Sequence, residues 1–201
     1  MNQKIVPLNK DMTWVDAFFA TKEKGGLPSN LLHDETLQND SIWEQLKKLR
    51  YYGAWAREII VYPEKDGVFA KGNIEDHYKN WIIPSKHVPK NIIGKKGIAL
   101  VIDPKDVVVS NGTTTIIPRT VYVQSFPQED GLYDFDKKTR IPIDADPKGD
   151  NYWDARKLWR WDEQSVRPLA RYYGDFGRRA VDAVWGHDVR LGVGVVSPSE
   201  K

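Results

Sequence analysis

Asn111-Gly112, set between Val107-Val108-Val109 and Thr113 to Ile117, constrains the fold of this chain more tightly than any other feature. Two β-branched runs joined by an Asn-Gly pair predict an antiparallel hairpin, because that pair accepts the positive φ angles of a tight type I′ turn. The hairpin belongs to a β-rich middle. Asn80 to Ile83, Gly97 to Asp103, Asp106 to Ser110, Thr113 to Ile117 and Thr120 to Phe126 are enriched in β-branched and aromatic residues and punctuated by Pro and Gly. Pro118 has no N–H to give a ladder, so the run after it reads as an edge strand or follows a bulge.

Helical patterns flank this middle. Thr13 is placed to cap a helix from Trp14 to about Lys22, with Trp14, Val15, Phe18 and Phe19 as its buried stripe and Gly25-Gly26 as its end. Residues 1 to 12 read as a polar arm and Leu27 to Asn39 as a loop. Ser41-Ile-Trp-Glu44 is a capping box, and Ile42, Leu46, Leu49, Tyr52 and Ala56 continue one helical face. That helix has a natural break at Gly53, because Glu58 to Tyr62 reads equally well as a strand leading into the Lys65-Asp66-Gly67 turn and Val68-Phe69.

The composition turns acidic and turn-rich from Gln128 to Asp150, and Asp146-Pro-Lys-Gly-Asp150 marks a boundary. Beyond it, Trp153 to Trp161 fits either helix or strand. Ser165 is placed to start a short helix with Pro168 in its first turn. Asp175 is placed to cap another, with Ala180, Val181, Val184 and Trp185 on one face and Gly186 at its end. Val189 to Val196 alternates glycine with valine, a terminal strand able to pair with its own sheet or with a neighbour's edge.

The expected class is therefore α+β: N-terminal helices, a central mainly antiparallel sheet or small barrel, then an Arg- and Trp-rich helical segment and a final strand. Residues 1–150 would form the α+β domain and residues 151–201 a subdomain packed on it, or the whole would be one domain. With 201 residues, 40% apolar and 29% charged, the chain has the composition of a globular domain with a sizeable core.

The lack of cysteine excludes disulfides, thiolate metal sites and cysteine nucleophiles. Residues 1–10 hold no apolar signal core and the longest aliphatic run is Ile98 to Ile102. The expectation is a cytoplasmic protein without a membrane span.

Late in the chain the basic residue changes identity. Seven of the 11 arginines, but only Lys157 of the 19 lysines, lie between Arg156 and Arg190, and four of the eight tryptophans lie in or beside that stretch. Arginine stacks on aromatic rings and forks onto carboxylates where lysine stays hydrated, and buried Trp and Arg dominate binding hot spots. Trp153, Arg156, Trp159, Arg160, Trp161, Arg167, Arg171 and Trp185 are thus the candidate partner-binding residues. Residues 151–201 hold nine basic and seven acidic groups, a net +2, so most of the positive charge can be paired internally. That weakens a nucleic-acid reading, which depends on unpaired positive charge, although Trp159 and Trp161 could stack bases beside Arg160, Arg167 and Arg171.

No catalytic motif is complete. Asp144-x-Asp146-x-Lys148-Gly149 imitates a calcium loop but carries Lys148 and Ala155 where oxygen ligands belong. Asp134 and Asp136 fit a turn better than a carboxylate pair. The histidines, His33, His77, His87 and His187, form no metal-ligand spacing, and His77, beside Glu75, Asp76, Tyr78 and Trp81, is the best general-base candidate among them. Gly192-Val193-Gly194 has no helix after it to receive a pyrophosphate. Asn111-Gly112-Thr113 matches a glycosylation sequon, but the hairpin turn explains it.

The sequence therefore points to a non-enzymatic interaction or structural protein, a subunit of a larger assembly such as a virus or phage particle, with no cofactor and no metal. Its partner would be another protein or a second copy. A nucleic-acid-binding module is the alternative, and an enzyme with a site near His77 or Asp134 and Asp136 comes third.

Overall fold

A computed structural model describes residues 3–8, 12–32, 53–61, 80–82, 89–95, 97–110, 113–126, 131–133, 136–141, 143, 153–155, 166–173, 179–183 and 193–198. In chain order these give β1 (Gln3–Leu8), α1 (Trp14–Lys22), β2 (Gly53–Val61), β3 (Asn80–Ile82), a 3₁₀ turn (Lys90–Ile92), β4 (Ile98–Ser110), β5 (Thr113–Ser125), β6 (Gly131–Tyr133), β7 (Trp153–Ala155), β8 (Val166–Tyr173), β9 (Arg179–Ala183) and β10 (Val193–Pro198). One sheet has the order β3-β5-β4-β2-β8-β9-β7-β6. Its centre, β5-β4-β2-β8-β9, is antiparallel throughout. Parallel pairs occur only at β3 with β5 and β7 with β9 among the described residues. The mainly antiparallel sheet expected from the sequence is present, with few helices among the described residues.

The hairpin forms as the Asn-Gly signal requires: β4 and β5 pair down to Ser110↔Thr113, leaving two residues to connect them. The separate short strands expected on either side of Pro104 and Pro118 are in fact continuous, each 13 residues long. Pro104 pairs with Pro118, and the register slips there by one residue on each strand, at Lys105 and Arg119. Two residues without N–H groups oppose each other where the ladder is already broken, so the prolines interrupt the hairpin without ending it.

Helix α1 matches its pattern. The Thr13 hydroxyl accepts from Asp16 N at 3.2 Å. Trp14, Val15, Ala17 and Phe18 are buried in the main core with Trp55, Ile59, Val61, Leu100, Ile102, Val107 and Ala170. The opposite face of the sheet is covered too, since Ile60, Val101 and Leu169 are 0%, 1% and 0% exposed. Strands β2, β4 and β8 are therefore central in both senses, which explains their near-continuous apolar runs.

Four expectations need correction. Residues 3–8 of the supposed arm form β1, which pairs antiparallel with β10 from Gln3↔Pro198 to Leu8↔Val193. The polar composition hid Ile5, which is 3% exposed and clusters with Leu32. Within the supposed loop, residues 30–32 are helical, started by Ser29, whose hydroxyl accepts from Leu32 N at 3.0 Å. Ala56, carried as the last residue of a helical face, is in strand: the chain is extended from Gly53, the break the sequence offered, and Ala54, Trp55 and Ala56 are all fully buried in β2.

The fourth correction is confined to two pieces of the C-terminal stretch, Val166–Tyr173 and Arg179–Ala183, which are strand; the rest of the expected helical segment lies outside the described residues. β8 replaces the helix expected from Ser165, and β9 replaces the part of the Asp175 helix that carries Ala180 and Val181. Tertiary pairing overrides local helical spacing here, because β8 fills the place between β2 and β9. Pro168 opposes Ile59, but pairing with β9 begins only at Leu169, so its missing N–H breaks no bond on that side. Trp153 to Ala155 takes the strand option; residues 156–161, the helix expected after Ser41 and the Lys65-Asp66-Gly67 turn lie outside the described residues.

Candidate functional site

The most unusual chemistry among the described residues lies at an irregularity in β2. Between Trp55↔Ala170 and Ile59↔Pro168, β2 sets three residues, Ala56, Arg57 and Glu58, against the single Leu169. A bulge of this kind removes backbone groups from the ladder and re-aims side chains. Each of its three residues finds a partner in the N-terminal segment. Ala56 O accepts from Trp14 Nε1 at 2.8 Å, Arg57 N donates to Pro28 O at 2.9 Å, and Glu58 Oε2 accepts from Asn30 N at 2.9 Å. Trp55 Nε1 adds a bond to Met12 O at 3.0 Å.

Glu58 is the group that stands out. It is 7% exposed, and burial pushes its carboxyl group up to about 7, opposed by the Arg57 guanidinium and by the Asn30 amide. Arg57 is not wholly available to it, because its Nη2 donates to Asp103 Oδ2 at 2.8 Å and its Nε lies 2.7 Å from Asp103 Oδ1. The Asp103 carboxylate pushes Glu58 further up.

Asn30 carries the network onward. Its Nδ2 donates to Thr139 O and Arg140 O, each at 2.7 Å. These carbonyls belong to a tight loop in which Arg140 N donates to Asp136 O at 2.8 Å and Asp136 N donates to Ile141 O at 2.9 Å. Asp136 Oδ1 accepts from Lys138 N and Thr139 N at 2.8 Å, and Arg140 takes the left-handed conformation with φ 55°. Thr139, itself buried, bonds Gln124 through its hydroxyl. Asp136, half of the Asp134 and Asp136 pair noted in the sequence, thus serves to close a turn.

Chemically, a buried carboxyl group that titrates near neutrality can hold or release a proton, and such groups are enriched at functional sites. No sequence pattern singles out Glu58. The available signal was an Arg-Glu pair inside the otherwise apolar run Ala54 to Val61, where a charged pair must be either exposed by alternation or buried with partners.

Of the candidate partner-binding residues, Trp153 begins β7 opposite Tyr133, Arg167 lies in β8 opposite Ile60, and Arg171 lies in β8 opposite Ala54 and Val181. Arg156, Trp159, Arg160, Trp161 and Trp185 lie outside the described residues, as do Asp134 and the four histidines. The described residues contain no group of three or more His, Asp or Glu placed to hold a metal ion. They contain no helix long and apolar enough to cross a membrane.

Compared with known proteins, the chain matches no family model, no curated protein and no solved structure, so its function has to be argued from its own residues.

Proposed function

We propose that this protein is a non-enzymatic interaction or structural subunit of a larger assembly, with the Arg- and Trp-rich stretch as its contact surface. The observation that carries this reading is the make-up of the stretch: seven of the 11 arginines lie between Arg156 and Arg190, with four of the eight tryptophans in or beside it, and these are the side chains that dominate binding hot spots. A component of a virus or phage particle is one concrete form of such a subunit.

The test is absolute mass by light scattering on a sizing column, at low and at high salt, for the parent protein and for Trp159→Ala and Trp161→Ala. A discrete oligomer that persists at high salt and dissociates in either variant is the expected result, since hot-spot losses amount to about 2 kcal/mol or more. A 23.1 kDa monomer at both salts that binds oligonucleotide with steeply salt-dependent affinity would overturn it in favour of a nucleic-acid-binding module.

A further inference from the structure

We propose that the outer edge of β5, from Thr120 to Ser125, pairs antiparallel with the same edge of a second copy of the chain, joining two sheets into one across a twofold axis at Val123. This surface is separate from the Arg- and Trp-rich stretch, and the inference does not rest on the reading given above.

The edge is open and regular. Among the described residues β3 is the only outer neighbour of β5, and their pairing stops at Ile82↔Thr115. Pro118 and the bulge at Arg119 come next, devices that blunt an edge. From Thr120 to Ser125 the register with β4 has no irregularity. This piece, Thr-Val-Tyr-Val-Gln-Ser, carries no charge, no Pro and no Gly and is rich in β-branched residues, the composition of a strand that templates another. Val123 is 48% exposed, and Ser125 is exposed as well.

Two bonds fix the direction of its backbone groups. Phe126 N donates to Gly97 O at 2.9 Å, so Phe126 turns its N–H toward the β4 side. Ile98 N, opposite Ser125, donates to Lys95 O instead. Because these groups alternate along a strand, Gln124, Tyr122 and Thr120 face β4, whereas Ser125, Val123 and Val121 hold N–H and C=O outward. A twofold axis at Val123 sets Val123 against itself and Val121 against Ser125, so that each outward N–H finds an outward C=O. A shift of one residue would oppose them to groups already committed to β4. The two exposed Val123 side chains would then cover each other. Charge fits the antiparallel sense: in sequence the segment is preceded by exposed Arg119 and followed by Glu129 and Asp130, so the basic end of one copy lies toward the acidic end of the other. A parallel pairing would set like ends together.

Residue-resolved amide hydrogen exchange of the full chain, at a low and a high protein concentration, tests this. At the higher concentration Val121, Val123 and Ser125 should exchange on the order of tenfold or more slower, while Tyr122 and Gln124, bonded to β4 in either state, change little. Val123→Lys sets like charges face to face across the axis and should abolish the added protection at Val121 and Ser125, leaving Tyr122 and Gln124 protected. A second arm uses the chain's lack of cysteine. In Val123→Cys the two Cα atoms would lie about 5.5 Å apart, within disulfide reach. Mild oxidation should therefore yield a covalent dimer far faster than in Val108→Cys, a position in β4 that is equally exposed at 48%. Fast exchange of all three outward amides at both concentrations would overturn the proposal and leave the edge to a strand of another protein. Protection that survives Val123→Lys would overturn it in favour of cover from within the chain, and equal cross-linking of the two cysteine variants would overturn the register.

Discussion

The indole nitrogen of Trp14 donates to the carbonyl oxygen of Ala56 at 2.8 Å, across 42 residues of sequence. A side chain of α1 thus completes a backbone group in the β2 bulge, and helix and sheet are joined by a directional bond as well as by apolar contact. Both Trp14 and Ala56 are fully buried, so no water replaces the donor if it is lost.

Trp14→Phe keeps most of the ring area and removes the N–H. It should cost about 1 to 3 kcal/mol, the desolvation penalty of a buried carbonyl left without its donor plus a small loss of volume. Trp14→Ala adds a cavity and should cost more, about 3 to 5 kcal/mol. Urea denaturation of the two variants checks the order, and a loss in Trp14→Phe within error of zero would show that the bond contributes nothing.

Global stability should depend on Glu58 with a sign opposite to that of an ordinary salt-bridged carboxylate. Its folded-state value, about 7, lies above the reference 4.5, so the native state binds the proton more tightly than the unfolded chain does. The resulting stabilisation is complete below 4.5 and is lost as pH rises through about 7. Glu58→Gln should therefore be more stable than the parent at pH 8 by up to about 3 kcal/mol, and the difference should shrink toward zero at about pH 4.5. Denaturation midpoints at the two pH values measure it; a constant difference would locate the effect in packing instead of ionisation.

How much of this was legible in the sequence follows from which interactions are local. Thr13, the Trp14 and Phe18 stripe and the Gly25-Gly26 ending lie within one helix length, and α1 formed where they placed it. Asn111-Gly112 fixed its hairpin for the same reason. The strands β8 and β9 were not legible, because Ala180 and Val181 satisfy a helical spacing and only the neighbouring β2 and β7 select the extended form. The β2 bulge was invisible for the same reason: nothing in Ala56-Arg57-Glu58 announces that Trp14, Pro28 and Asn30 will meet it.

Asp103 and Arg57 should couple through their two close contacts, at 24% and 17% side-chain exposure for Arg57 and Asp103 respectively. Removing either partner alone leaves the other charge poorly hydrated, so Arg57→Gln and Asp103→Asn should each destabilise by more than half of the double variant. A double-mutant cycle should return about 1 to 2 kcal/mol after allowance for solvent screening, and an additive result would mean that the pair is electrostatically silent.

Asn30→Asp tests the amide that spans the network. The substitution keeps the shape but replaces the Nδ2 donor, which serves Thr139 O and Arg140 O, with an acceptor. Two carbonyls would then face a carboxylate beside buried Glu58, and the loss at neutral pH should reach about 3 kcal/mol or more. Lowering the pH should recover part of it, since the introduced carboxyl group, once protonated, can donate to one carbonyl again; thermal melts at about pH 5 and about pH 8 read the recovery.

Gly26 gives the smallest effect and the cleanest separation of causes. It adopts φ 80°, its N–H returns to Thr21 O at 2.9 Å to close α1, and a Cβ built there would meet nothing within 4 Å. Sterics with neighbours are thereby removed from the argument, and only the left-handed backbone opposes a side chain. Gly26→Ala should lower stability by about 1 to 2 kcal/mol, whereas Gly26→Asn, whose side chain bonds locally in that conformation, should lose clearly less. Equal losses would mean that the ending of α1 rearranges, and then Leu27, fully buried one residue on, should lose its protection from exchange together with the helix.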